Sequence, residues 1–134
     1  MSSYDWNNYL SFALKIVKCD GFDEQTKYRI AISRAYYAAF HIAKNVAEQL
    51  KKIEIPATGG EHEKICNAYK DVKKGNKEFQ DKCHYIGRNL ELLKKERRDS
   101  DYNASRCYKV GDVGKSYKRA NNIIHNVNEL NNQL

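Results

Sequence analysis

The chain has 134 residues, 41% of them hydrophobic and 31% charged, a balance that suits a folded soluble domain and argues against disorder. No apolar run approaches the ~20 residues of a membrane span, and "MSSYDWNNYLSF" lacks the basic flank and apolar stretch of a signal peptide; no membrane partner and a cytoplasmic location are therefore expected. Net charge is +7, and the stretch Lys94 to Arg119 holds nine Lys/Arg against four Asp/Glu, which points to an anionic partner, RNA or DNA before an acidic protein, or equally to a solvated basic surface.

With one proline, seven glycines and little alternation, the sequence reads as helices throughout. Trp6, Leu10, Ala13 and Val17 form a first apolar stripe, ended by Asp20–Gly21. Asp23 is predicted to cap a second helix running to about Ile53, with Tyr28, Ile32, Ala35, Ala39, Ile42, Val46 and Leu50 on its main face. Ile30, Tyr36, Phe40 and Ala47 make that helix apolar over most of its circumference, which predicts the central helix of a bundle. "IPATGG" breaks the chain before a short third helix with Ile65, Ala68, Tyr69 and Val72 inward, and "KKGNK" makes the next turn. On the fourth helix Phe79, Cys83, Ile86, Leu90 and Leu93 set a rhythm whose next position is Arg97, whereas Arg98 falls off it. A loop is predicted over 99–111, then a last helix capped by Asp112, with Val113, Tyr117, Ala120, Ile124, Val127 and Leu130 inside. The expected fold is all-α, one domain over 1–134, an antiparallel bundle of about five helices.

Cys19, Cys66, Cys83 and Cys107 form no CxxC pair and are expected to be reduced. A zinc set drawn from His62, Cys66, Cys83 and His84 matches none of the common ligand spacings, so no metal is expected.

Three groups of residues carry chemistry. Arg34 and His41 lie two helical turns apart, roughly 10 Å, and share a face with Tyr37 and Asn45. That face can hold a phosphate through Arg34 and move a proton through His41, or it is a polar seam inside the bundle. In "ERRDSDYNAS", Arg97 and Asp101 either form a helical ion pair or leave Arg97 to a phosphate with Tyr102 beside it. The basic region interleaves Tyr102, Tyr108 and Tyr117 with Arg106, Lys109, Lys115, Lys118 and Arg119, cations for a nucleic-acid backbone and rings for its bases. "GDVGKS" ends like a phosphate loop, but the spacing and the preceding strand are missing.

Four segments in order, "YRIAISRAYYAAFHIAKNVAEQL", "EHEKICNAY", "LLKKERRDSDY" and a closing amphipathic helix, resemble the HEPN superfamily over about residues 26–130. The likeness is to small stand-alone prokaryotic members with an SRaYYaaFHaA helix and a downstream RxxxDY segment. The resemblance implies an all-helical bundle that dimerises, without a cofactor. It also implies a metal-independent endoribonuclease of a toxin–antitoxin or anti-phage defence system, with RNA as substrate and a nucleotidyltransferase as possible partner. The motif of active members is an arginine, four to six residues, then histidine. Arg97 matches the arginine, but Tyr102 stands where the histidine belongs, behind Asp101. A tyrosine, with a pKa near 10, is a poor base at neutral pH. Two readings follow: a ribonuclease using Arg97, Asp101 and Tyr102 with Arg34 and His41 as auxiliary groups and Arg98, Arg106, Lys109 and Lys118 on the RNA, or a non-catalytic helper that binds a nucleotide or a nucleotidyltransferase. Arg97, continuing an apolar stripe, is expected to face a cleft shared by two copies of the chain.

Overall fold

In a computed structural model describing residues 3–132, five helices form an antiparallel all-α bundle: α1 (Asn7–Ile16), α2 (Glu24–Gln49), α3 (Glu61–Lys70), α4 (Lys77–Tyr102) and α5 (Val110–Asn131). No helix among the described residues is long and apolar enough to cross a membrane.

Helix α2 packs against all four of the others, as its wide apolar circumference predicts. Ala31, Ala35, Ala38, Ala39, Ala43 and Ala47 are buried on it, and these small side chains let neighbouring helices approach closely while Tyr36 and Phe40 fill the larger gaps. Its start is fixed by Asp23, whose carboxylate accepts from the Thr26 N–H at 2.9 Å. Tyr69 of α3 is fully buried and donates to the Ala43 carbonyl of α2 at 2.6 Å, which satisfies a hydroxyl that would be costly left bare. Helix α3 lies against α4 at Gly87, where a Cβ would sit 2.8 Å from the Lys70 backbone nitrogen and 2.9 Å from the Cys66 carbonyl oxygen. Glycine is therefore required at that crossing.

Three boundaries differ from expectation. Helix α2 ends at Gln49 rather than near Ile53, with Leu50 as extended C-cap and Ile53 buried just beyond it. Helix α4 runs through Tyr102, so the predicted loop over 99–111 shrinks to 103–109. The cause is Arg29 of α2, which donates to the carbonyls of Ser100 (3.0 Å), Asn103 (2.8 Å) and Arg106 (2.5 Å) and so carries the helix end. Asp112 is not the N-cap of α5. It sits three residues past Lys109 and accepts the Lys109 N–H at 2.8 Å, which lets the helix begin at Val110.

Candidate functional site

The rhythm of α4 does bring Arg97 inward. It is 8% exposed, yet its guanidinium makes no hydrogen bond to the protein among the described residues. Its one ion pair there is with Asp101 at 3.6 Å, one turn away, and its Nε is buried without a partner. What surrounds it is aromatic: Arg97 Cζ lies 5.3 Å from the Tyr36 ring centre and 5.6 Å from that of Tyr37. Ring faces attract a cation but accept none of its N–H groups in the way an oxygen does. The arginine thus keeps unused donors in a half-enclosed place.

Tyr37 is the hub of the site. Arg34 Cζ lies 5.7 Å from its ring centre and 5.4 Å from that of Tyr9 on α1. His41 lies 6.1 Å and His62 5.9 Å from it, centre to centre. Arg34, His41, His62 and Arg97 therefore all lie in ring contact with Tyr37, where α1, α2, α3 and α4 meet. His41 is stacked on Trp6 at 3.7 Å, and burial, then Lys44, holds its pKa below the ordinary histidine value.

Sequence reasoning weighed His62 only as a metal ligand, and the fold gives it another place. It stands in the first turn of α3, a position held by the Lys44–Glu61 ion pair between α2 and α3. Its ring stacks on Phe40 at 4.2 Å, and its Nδ1 is 2.6 Å from the Tyr36 hydroxyl. Burial lowers its pKa most, and the positive charges of Arg97 and Lys94 lower it further. Burial also pushes the Tyr36 phenol far up, so that hydroxyl stays protonated. Tyr36 and His62 are 26 positions apart on different helices, beyond the reach of any helical spacing rule.

Tyr102 does not stand beside Arg97. It is 77% exposed at the end of α4, in an open groove with Lys94, Lys95 and Arg98, because five residues past Arg97 it points off the buried stripe. Arg106 also differs from a free surface cation. It pairs with Glu96 at 3.3 Å and Asp99 at 3.2 Å and lies over the buried Tyr108 ring at 4.6 Å. Lys109 and Lys118 are exposed. Three grooves join through shared residues: Lys95 belongs to the first and second, Lys115 and Arg119 to the second and third, and Lys118 to the third. None of Lys95, Arg98, Lys115, Lys118 and Arg119 has a carboxylate partner among the described residues, so α4 and α5 carry a connected belt of free positive charge.

The all-helical bundle thus gathers an under-bonded buried arginine and two histidines in one aromatic cluster. The HEPN domain family model matches residues 22–130, and the chain belongs to that family. No curated protein and no solved structure matches it.

Proposed function

We propose that the chain binds RNA and cleaves it as a metal-independent endoribonuclease of a toxin–antitoxin or anti-phage defence system, working in the cytoplasm as a homodimer. The observation that carries this reading is Arg97, a charge enclosed with unused N–H donors and a single long ion pair. A buried guanidinium left so is costly unless an anion completes it. A phosphodiester has the charge and the acceptor oxygens, and Asp101 serves as the resting partner that it displaces. The belt through Arg98 and Lys118, with Lys109 at the start of α5, offers the phosphate backbone a track toward the site. Arg34 and His41 border the cleft as auxiliary groups. The reaction is attack of a ribose 2′-OH on the adjacent 3′-phosphate, giving a 2′,3′-cyclic phosphate and a 5′-OH, with arginine stabilising the phosphorane charge.

A second reading, a non-catalytic helper for a nucleotide or a nucleotidyltransferase, is favoured by Tyr102 standing exposed at the motif's histidine position. Incubation with total RNA in EDTA, followed by end-group analysis, separates the two. Cyclic phosphate ends that vanish in Arg97→Ala support the nuclease; intact RNA at every enzyme concentration supports the helper. Light scattering at micromolar concentration checks the dimer.

A further inference from the structure

An RNA-cleaving site built on Arg97 needs a group that accepts the 2′-OH proton, and Tyr102, exposed at the end of α4, is not placed to do so. We propose that His62 is that group and that Tyr36 is its positioning residue. This rests on the ribonuclease reading above and adds to it the identity of the base.

The argument is one of elimination by geometry. A proton carrier works best with one ring nitrogen fixed and the other free. His84 has Nε2 at 3.0 Å from the Val72 carbonyl, on the side of α4 that faces the end of α3. His125 is exposed on α5 and bound to Glu129. His41 belongs to the same cluster, but neither of its nitrogens has a hydrogen-bond partner among the described residues, and its ring is held only by contacts with the rings of Trp6, Tyr37 and Phe40. His62 meets the requirement. Its Nδ1 is held by Tyr36, its ring is stacked on Phe40, and its Nε2 has no hydrogen-bond partner among the described residues and is not sealed from solvent.

The choice of a tyrosine hydroxyl as anchor matters chemically. A carbonyl can only accept, so it would lock the proton on Nδ1. The Tyr36 hydroxyl can donate or accept, so the 2.6 Å bond survives in every protonation state of the ring. With the proton on Nδ1, His62 donates to the Tyr36 oxygen and presents a lone pair at Nε2. Arg97 lies over the same Tyr36 ring, so the phosphate-holding cation and the base are fixed to one side chain.

In the step itself, Nε2 takes the proton of the 2′-OH as the O2′–P bond forms and the P–O5′ bond breaks. Water protonates O5′, and the imidazolium returns its proton to solvent, so atoms and charge balance without a co-reactant. Burial, then Arg97 and Lys94 on α4, Glu61 on α3 and His41 on α2 set the His62 titration; Tyr36 is bonded to its Nδ1, and Lys44 is paired with the neighbouring Glu61. The two cations on α4 and the burial of the ring favour the neutral form that a base requires.

The test is single-turnover cleavage of an oligonucleotide carrying one ribonucleotide in a 2′-deoxy background, in EDTA. His62→Ala and His62→Gln are expected to lose about a hundredfold or more in rate while still binding an uncleavable 2′-O-methyl oligonucleotide as wild type does. Added imidazole should restore part of the His62→Ala rate, which a purely structural role would not allow. Wild-type kcat/KM should rise with pH through a value below the ordinary histidine pKa, a limb missing in His62→Gln and displaced in Tyr36→Phe. His125→Gln serves as the unaffected control. If His62→Gln cleaves like wild type, or if loss appears only in His41→Ala, the assignment is overturned and the ribonuclease reading stands. If the wild-type protein itself does not cleave, that reading falls, and this proposal with it.

Discussion

Two places in this molecule press arginine against tyrosine, and they do opposite things with the same residue types. At the junction of α2, α4 and α5, the buried Tyr108 ring lies between Arg29 at 5.3 Å and Arg106 at 4.6 Å. Arg29 there serves three carbonyls and Arg106 two carboxylates. Gln25 completes the junction through its side-chain amide, accepting the Tyr108 N–H at 2.8 Å and donating to the Tyr108 carbonyl at 2.6 Å. At the junction of α2, α3 and α4, Arg97 lies between Tyr36 and Tyr37 with one long ion pair and an idle Nε. The first place spends its donors on the chain and ties the 103–109 segment down. The second leaves donors that the described residues do not use. Enclosure and ring contact do not distinguish the two; saturation of the guanidinium does.

The sharpest way to break this contrast is to remove each arginine. Arg97→Ala should abolish RNA cleavage, a loss of about a hundredfold or more, with the melting temperature unchanged or raised, because an under-compensated buried charge has gone. Arg29→Ala should unsettle the end of α4 and cost ~2–3 kcal/mol of stability in urea titration, since it leaves several carbonyls without a donor. A large stability loss in Arg97→Ala would mean that its donors are satisfied after all.

A second pair of changes separates staple from track. Lys118→Glu and Arg98→Glu alter exposed side chains without ion partners and should weaken RNA binding at unchanged stability, each lowering the log–log salt slope by ~1. Arg106→Glu should weaken binding and melting together, because it places a third carboxylate beside Glu96 and Asp99. Fluorescence anisotropy over a salt series, with melts alongside, reads both.

How far the sequence anticipates these places follows from how local each one is. The stripe 79–83–86–90–93–97 lies within one helix, and it alone puts Arg97 inside. The central position of α2 is legible for the same reason. The Tyr36–His62 bond joins residues 26 positions apart, and the Gln25–Tyr108 pair 83 apart. Both depend on where helices cross, which spacing within a helix does not encode. Gly87 is invisible for the same reason, since only the approach of α3 makes its missing Cβ necessary. The end of α4 is misjudged because its carbonyls are served by Arg29, far away in sequence. Arg106 reads as a free cation for RNA until the turn after α4 folds it back onto Glu96 and Asp99.

Acid sharpens the comparison further, because the open site holds two histidines and the stapled junction none. His41 and His62 are both kept below the ordinary histidine pKa in the fold, first by burial and then by neighbouring cations. As pH falls below about 6.5, the unfolded chain takes up these protons before the folded one does. Stability is therefore full above that value and declines as pH drops toward the lower folded values. The depressed carboxylates, Glu61 among them, keep their contribution over this range and lose it only at lower pH, as the pH falls through the ordinary carboxylate value toward their lower folded ones. Melting curves between about pH 7.5 and about 5.5 should show the decline, and His62→Gln should flatten part of it. A flat wild-type profile over that range would show that neither imidazole is desolvated as the cleft geometry requires.

The smallest expected difference is between two hydroxyls. Tyr36 and Tyr108 are both fully buried, and their phenols differ in whether anything answers them. The Tyr36 hydroxyl meets His62 Nδ1 at 2.6 Å, whereas the Tyr108 hydroxyl has no hydrogen-bond partner among the described residues. Removing a satisfied buried hydroxyl loses the bond and strands its partner, for a net cost of ~1 kcal/mol; removing an unsatisfied one recovers a desolvation penalty already paid on folding. Tyr36→Phe should therefore lower stability by about that amount, and Tyr108→Phe should leave it equal or raise it. Both rings remain, so the arginine contacts over them persist, and the packing volume is almost unchanged. Urea titrations of the two variants beside wild type give the comparison directly. Equal losses in both would mean that the Tyr108 hydroxyl has a partner in solution, and the junction would then be saturated in its tyrosine as well as in its arginines.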